Sequence, residues 1–200
     1  MMTEREVVLD FVPRSQFLPF HKRKQRWACL ICHRRCGKTF ATLMDLLLKA
    51  LQTPHDRFAY VAPYYNQAKT VAWDVIKEFA RPVLASAPNE AELRVDLLGG
   101  SRICLYGGDN GDRLRGLGLD GVVLDEYADI PPSLFPQVVR PALADRGGFA
   151  VIIGTVRGRN HLWQTSLKMP GERQIIERPH VVASARASAA GVVRWKTKSP

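Results

Sequence analysis

The sequence predicts an α/β fold with a mainly parallel central sheet and helices on both faces. Two observations carry this. Short apolar runs of strand length recur along the chain, and stretches with apolar residues at helical spacing stand between them. Strands that alternate with helices are joined by crossovers, which makes neighbours parallel and covers both faces of the sheet.

Residues 27–32 (WACLIC) are apolar without a break, as a buried strand is. Residues 38–51 (KTFATLMDLLLKAL) set Phe40, Leu43, Leu46, Leu47, Ala50 and Leu51 at helical spacing, and Pro54 closes the stretch. Residues 57–62 (RFAYVA) read as a second strand stopped by Pro63, and 65–80 (YNQAKTVAWDVIKEFA) as a second helix ended before Pro82. Residues 102–106 (RICLY), 121–125 (GVVLD) and 149–153 (FAVII) read as further strands. From about residue 165 the pattern dissolves. ASARASAA at 183–190 is small and polar, and Trp195 and a basic end follow with no amphipathic period. The expected division is one α/β domain over 1–165 and a basic, irregular tail over 166–200.

Composition narrows the class. With 200 residues, 46% hydrophobic and 24% charged, the chain can bury a core without a disulfide or metal staple. No apolar run approaches the ~20 residues of a membrane span, so no membrane partner is expected. MMTEREVVLDF mixes acids with an Arg and lacks an apolar core, so it does not read as a secretory signal and the expected address is the cytoplasm. The net charge is +10, with 22 basic and 17 acidic residues in 1–165 but 7 basic and 2 acidic in 166–200. Such an excess suits a polyanion partner, most often nucleic acid, though a mildly basic globule needs none.

Cys29, Cys32 and His33 spell C-x-x-C-H, a haem attachment pattern that requires an exported chain and is rejected on that ground. A zinc site through Cys29, Cys32 and Cys36 is disfavoured, because an odd spacing puts Cys29 and Cys32 on opposite faces of a strand. With Cys104, these read as reduced, buried thiols.

Three segments carry chemistry. CHRRCGKT at 32–39 follows a strand and opens a helix, the context of a phosphate loop. There, backbone N–H groups around Arg35, Cys36 and Gly37 hold phosphate oxygens, Lys38 reaches the β- and γ-phosphates, and Thr39 places its hydroxyl on Mg²⁺. The generic spelling has Gly where Cys32 stands, so by the strict pattern this is a miss, and a chance G-K-T at a helix start is the bland alternative. VVLDEYAD at 122–129 ends an apolar strand in two carboxylates. Asp125 suits the magnesium and Glu126 the attacking water, unless the pair merely caps a helix. VIIGTVRGRN at 151–160 brings Thr155 out of a strand, where a hydroxyl can sense a γ-phosphate or the turn is a plain exit. Taken together and in this order, the segments point to ATP or GTP hydrolysis.

These segments resemble the ATPase domain of phage terminase large subunits, the motors that drive double-stranded DNA into procapsids. In that family the phosphate loop commonly lacks the first Gly and carries Arg, as HRRCGKT does here. PRSQFLPFH at 13–21 is similar to its adenine segment, and YVAPYYNQAKTVAWD at 60–74 to the segment after its second strand. RLRGLGLDGVVLDEYAD at 113–129 is similar to its Arg-Gly element and acidic pair, and 138–163 to its coupling motif and flanks. The likeness runs over roughly residues 10–163. It implies a P-loop NTPase of the additional-strand, RecA-like type, with ATP and Mg²⁺ as cofactors. It implies that Gln16 reads adenine, that Arg34 (less so Arg35) contacts the γ-phosphate, that Arg115 is a finger reaching the next subunit's ATP in a homo-oligomeric ring, and that Thr155 couples hydrolysis to movement. It implies a portal protein and a small terminase subunit as further partners.

Two departures stand out. Val156 occupies the place of a Pro in the coupling motif, which removes a fixed φ from that turn. The nuclease domain of the family is expected to be absent, since after 165 the only acids are Glu172 and Glu177. The abrupt break suggests a frameshifted or truncated prophage copy. The rival readings are a helicase-like DNA translocase, which would need a second RecA-like half, and an inactive remnant that binds nucleotide or DNA without turnover.

Overall fold

A computed structural model of the chain describes residues 4–9, 11–155, 158–168, 173–178 and 193–198, with side chains described only within 9–166. Its strands are β1 Glu4–Leu9, β2 Trp27–Cys32, β3 Arg57–Ala62, β4 Arg94–Asp96, β5 Arg102–Gly107, β6 Gly121–Leu124, β7 Phe149–Gly154, β8 Arg173–Arg178 and β9 Val193–Lys198. Seven of them form one sheet in the order β4-β5-β3-β6-β7-β2-β8. β4 is antiparallel to β5, and every other neighbouring pair is parallel. β7 lies between β2 and β6, so one strand separates the strand feeding the GKT loop from the strand ending in the acidic pair.

The two faces are built by strand alternation. On β2, Ala28, Leu30 and Cys32 join one apolar cluster while Trp27, Cys29 and Ile31 join another. Tyr60, Val123, Val151 and Ile153 extend the first cluster, and Val61, Val122, Leu124 and Ile152 the second. Helix α2, Lys38–Gln52, which follows the short α1 at Leu18–His21, covers the first face with Leu43, Met44, Leu46 and Leu47. The second is covered by Leu134, Val138, Val139 and Leu143 and by Leu162.

Helix α2 buries more of its circumference than its spacing predicts. Ala41 to Leu47 are all buried, because the N-terminal segment also packs on the helix, with Arg23 on Asp45 and Phe11 on Phe40. Phe40, by contrast, is 37% exposed and meets Phe11 and Phe79 edge-on. Thr53 ends the helix in extended geometry, the conformation favoured before Pro54. The segment 65–80 is helical as expected, but its middle, Lys69–Trp73, is a π turn between Tyr65–Ala68 and Asp74–Ala80.

A buried ionic knot fastens the N-terminal segment to α2. Arg23 donates to Asp45 at 2.7 Å with both side chains nearly fully buried, and His21 Nδ1 lies 3.5 Å from the other carboxylate oxygen. Burial pushes the Asp45 carboxyl up, but His21 and the Arg23 guanidinium outweigh it, and the net shift is down. Asp45→Ala should therefore destabilise the fold by about 3–5 kcal/mol, leaving a buried guanidinium unpaired. The test is a fall in the urea midpoint at unchanged slope. The sign with pH follows. A depressed carboxyl contributes its stability above the ordinary carboxylate range, and loses it as pH falls through the folded-state value. The Asp45→Ala chain should lack that component of acid sensitivity.

The chain beyond 165 differs from expectation. Where the sequence shows no periodicity, Arg173–Arg178 pairs in parallel with β2 and closes that side of the sheet. Val193–Lys198 pairs antiparallel with β1 in a separate two-stranded ribbon. The reason is physical. RQIIER has two adjacent Ile between charges, so it alternates poorly, yet charged residues are what an edge strand carries. ASARASAA at 183–190, Val156 and Glu172 lie outside the described residues.

Candidate active site

The parallel strands end on the same side of the sheet, and three of those ends meet. β2 runs out at Cys32 into His33–Gly37, and α2 begins at Lys38. Gly37 has φ +92°, and a Cβ there would press on the Arg14 guanidinium, so only Gly fits this turn. Arg35 also has positive φ, at 62°. Left-handed residues beside right-handed ones turn successive amides inward, which makes an anion cradle that the start of α2 reinforces.

The Lys38 ammonium is 3.2 Å from Glu126 Oε1 and 3.1 Å from Thr155 Oγ1. Thr155 in turn lies 3.4 Å from the same Glu126 oxygen. The Thr39 hydroxyl donates to Asp125 Oδ2 at 2.8 Å. Five sequence-predicted residues, Lys38, Thr39, Asp125, Glu126 and Thr155, therefore converge from the ends of β2, β6 and β7. Glu126 takes a left-handed backbone, φ 43° and ψ 49°, and its amide donates to Asp125 Oδ1 at 2.7 Å. A non-Gly residue held this way stores strain, and such strain clusters at working sites. The turn aims the Glu126 carboxylate at Lys38.

Asp125 is 3% exposed, and burial pushes its carboxyl up while the Tyr60 and Thr39 hydroxyls pull it down. Two oxygen donors, Thr39 and Asp125, stand in hydrogen-bonding contact beside the cradle, and hard oxygens are what Mg²⁺ takes.

The other predicted residues lie around this centre or away from it. Gln16 Nε2 donates to the Cys36 carbonyl at 3.2 Å, so the segment expected to read adenine touches the loop. Arg34 and Arg35 are exposed on the loop itself. Arg115 stands apart, exposed and paired with Asp112 at 2.8 Å, on the rim of a cavity of about 470 Å³ that Gln137, Val138 and Asp145 also line.

Two residues escaped sequence reasoning. Tyr60 on β3 donates to Asp125 Oδ2 at 2.5 Å and is fully buried. A Tyr in an otherwise apolar buried strand needs a partner for its hydroxyl, and that was the available signal. Arg14 donates to the Cys36 carbonyl at 2.8 Å, and nothing in PRSQFLPFH marks it above its neighbours.

A strand inserted between the loop strand and the acidic strand marks the additional-strand class of P-loop NTPase folds, and this fold is of that class. The chain belongs to the terminase large subunit family: the family described as terminase large subunit, T4likevirus-type, N-terminal, matches residues 32–164. The large terminase subunits of Thermus virus P23-45 and Thermus phage G20c are each 29% identical to it, covering 78% of this chain and 36% of theirs, so the chain spans about a third of their length. The solved ATPase domain of the Thermus phage P74-26 large terminase has a TM-score of 0.68 at 25% identity, over 78% of this chain and 70% of that one. The large terminase of the thermophilic bacteriophage D6E shares the fold, with a TM-score of 0.67 at 17% identity over 80% of this chain and 44% of that one. Among the described residues, no helix is long and apolar enough to cross a membrane.

Proposed function

We propose that this chain is the ATP-hydrolysing motor domain of a phage or prophage large terminase, which drives double-stranded DNA into procapsids. The observation that carries the reading is the meeting of Lys38, Glu126 and Thr155 beside the Thr39–Asp125 pair. The 25% identity with a large terminase ATPase domain supports it.

In this reading the loop amides, Lys38 and Arg34 bind the triphosphate. Thr39 and Asp125 would hold Mg²⁺, which when bound neutralises charge on the phosphate oxygens. Tyr60 fixes the Asp125 rotamer. Glu126 orients and deprotonates the water that attacks the γ-phosphorus in line, and Thr155 reports the loss of that phosphate to the chain after β7. Gln16 spends its amide donor on the Cys36 carbonyl and keeps its oxygen for the adenine amino group. Arg115 is exposed and, among the described residues, is held by an i,i+3 ion pair, a weak restraint that lets it enter a neighbouring subunit's site in a ring. Double-stranded DNA is gripped through its phosphates by basic side chains, which makes binding salt-dependent. The portal protein and small subunit complete the machine.

Glu126 and an incoming phosphate compete for the same ammonium. Lys38 is engaged by Glu126 and Thr155, so a triphosphate must displace Glu126 from the ammonium, which frees the carboxylate to meet water. The test is nucleotide binding and turnover by the purified chain. Mg·ATP at 100 times its Kd should stabilise the fold by about 2.7 kcal/mol and raise its melting temperature by several degrees. Duplex DNA should speed turnover. A melting curve unmoved by millimolar Mg·ATP overturns the reading.

A further inference from the structure

We propose that His161 is a positioning residue for hydrolysis, which holds Glu126 in its left-handed, site-facing geometry by donating to the Tyr127 carbonyl. The effect on turnover rests on the role given to Glu126 above; the effect on the Glu126 backbone does not.

His161 opens the helix His161–Lys168, which follows the exit of the chain from β7. The start of this helix is well anchored. Asn160 Oδ1 accepts from the Trp163 amide at 3.3 Å, as an N-cap does, and the Asn160 carbonyl accepts from the Gln164 amide at 3.1 Å. Leu162 is buried and packs closely on the end of β7, so that a Cβ at Gly154 would lie 2.7 Å from its Cδ2. From that base the His161 ring reaches the turn after β6. Its Nε2 stands 2.7 Å from the Tyr127 carbonyl oxygen, and its ring meets the Tyr127 ring edge-on at 5.0 Å. A carbonyl can only accept, so Nε2 carries the proton.

The turn it meets is the one that sets Glu126, whose φ is 43° and ψ 49°. A non-Gly residue persists in that region only where its surroundings over-determine it. Bonds on successive peptides do so here. The Glu126 amide donates to Asp125 Oδ1 at 2.7 Å, the Asp129 amide donates to the Glu126 carbonyl at 2.8 Å, and His161 donates to the next carbonyl along. The Tyr127 oxygen also accepts from the Ile130 amide at 3.1 Å, so both of its lone pairs are used and its peptide plane is held from two sides. The bonds from the Glu126, Asp129 and Ile130 amides lie within the turn. The bond from His161 comes from 34 positions away and ties the turn to the helix that follows Thr155.

Without that tie the Tyr127–Ala128 peptide can rotate, and the lower-energy backbone for Glu126 is right-handed. Its carboxylate then swings away from Lys38, which it meets at 3.2 Å, and from the water it activates. The cradle after β2 is built from other elements and is left standing.

The experiment compares the purified full chain with His161→Phe, His161→Asn and His161→Gln. Phe keeps a ring against Tyr127 but has no donor, Asn has an amide too short to reach the carbonyl, and Gln sets its amide nitrogen where Nε2 stands. Single-turnover hydrolysis by the Phe and Asn chains should be about 10- to 100-fold slower than by the parent, the penalty of a misplaced catalytic group. Their ATP affinity should not fall, and Gln should recover most of the rate. Backbone chemical shifts of Glu126 and its Cα–Hα coupling, which report the sign of φ, should change in the nucleotide-free Phe and Asn chains and keep the parent values in Gln. In a Glu126→Gln background His161→Phe should cost little further rate, because both act through one carboxylate. Equal losses in all three variants, an affinity that falls with the rate, full additivity with Glu126→Gln, or a Glu126 backbone unmoved by Phe and Asn overturns the proposal. A parent chain that does not hydrolyse ATP overturns the role of Glu126 instead, and the Glu126 backbone signals still decide what His161 holds.

Discussion

Glu126→Gln should bind Mg·ATP at least as tightly as the parent and turn it over about 10²–10⁴-fold more slowly, the contribution of a positioned general base. The substitution changes one oxygen to an amide nitrogen and keeps the shape, so the left-handed backbone at Glu126 is undisturbed. Two consequences separate. Turnover falls because a neutral amide cannot take the proton of the attacking water. Binding does not fall, because the wild-type carboxylate, 3.2 Å from the Lys38 ammonium, competes with phosphate for it. The checks are single-turnover hydrolysis and equilibrium titration on the same preparation. Turnover at the parent rate means that Glu126 is not the base. A weaker affinity means that the carboxylate does not compete with phosphate.

The parallel core was legible because its strands are buried on both faces and stay apolar over nearly their whole length, as WACLIC does and as RFAYVA does after its exposed Arg57. The helix start at Lys38 was legible from Gly37, whose positive φ no other residue adopts cheaply. The edges were not. β8 has charges at its ends and two adjacent Ile, so its pairing with β2 comes from the open hydrogen-bonding edge it meets rather than from any pattern of its own. The site divides in the same way. Lys38 and Thr39 open the helix after β2, and Asp125, Glu126 and Thr155 follow the ends of β6 and β7, so once the strands and that helix were placed the residues followed. Arg14 reaches the loop across 22 positions, a contact made by tertiary packing of the N-terminal segment on α2 and invisible to spacing. Tyr60 is the intermediate case. Its place in a strand was clear, but its partner depended on β3 lying beside β6, which the order of elements alone does not state.

Lys38→Ala should lose affinity as well as turnover, and that difference from Glu126→Gln is the sharper test of the competition for the ammonium. Among the described residues the ammonium is the one cation bonded to both Glu126 and Thr155, and Lys38 is 6% exposed, so a triphosphate entering here has its charge met at short range and low dielectric. Hydrogen bonds to a charged group are worth about 1.5–3 kcal/mol, so nucleotide affinity should fall about 10- to 100-fold. Charge also develops on the transferring phosphoryl group, and loss of one preorganised donor there costs a further ~10²–10³ in turnover. The fold should survive. Glu126 loses its partner, but its side chain is 23% exposed and can turn to water, so no buried carboxylate is stranded. Melting of the nucleotide-free variant should therefore stay close to the parent, while its stabilisation by Mg·ATP disappears at concentrations that saturate the parent. Nucleotide protection retained in full by Lys38→Ala would mean that the loop amides alone hold the triphosphate, and that Lys38 serves only to park Glu126.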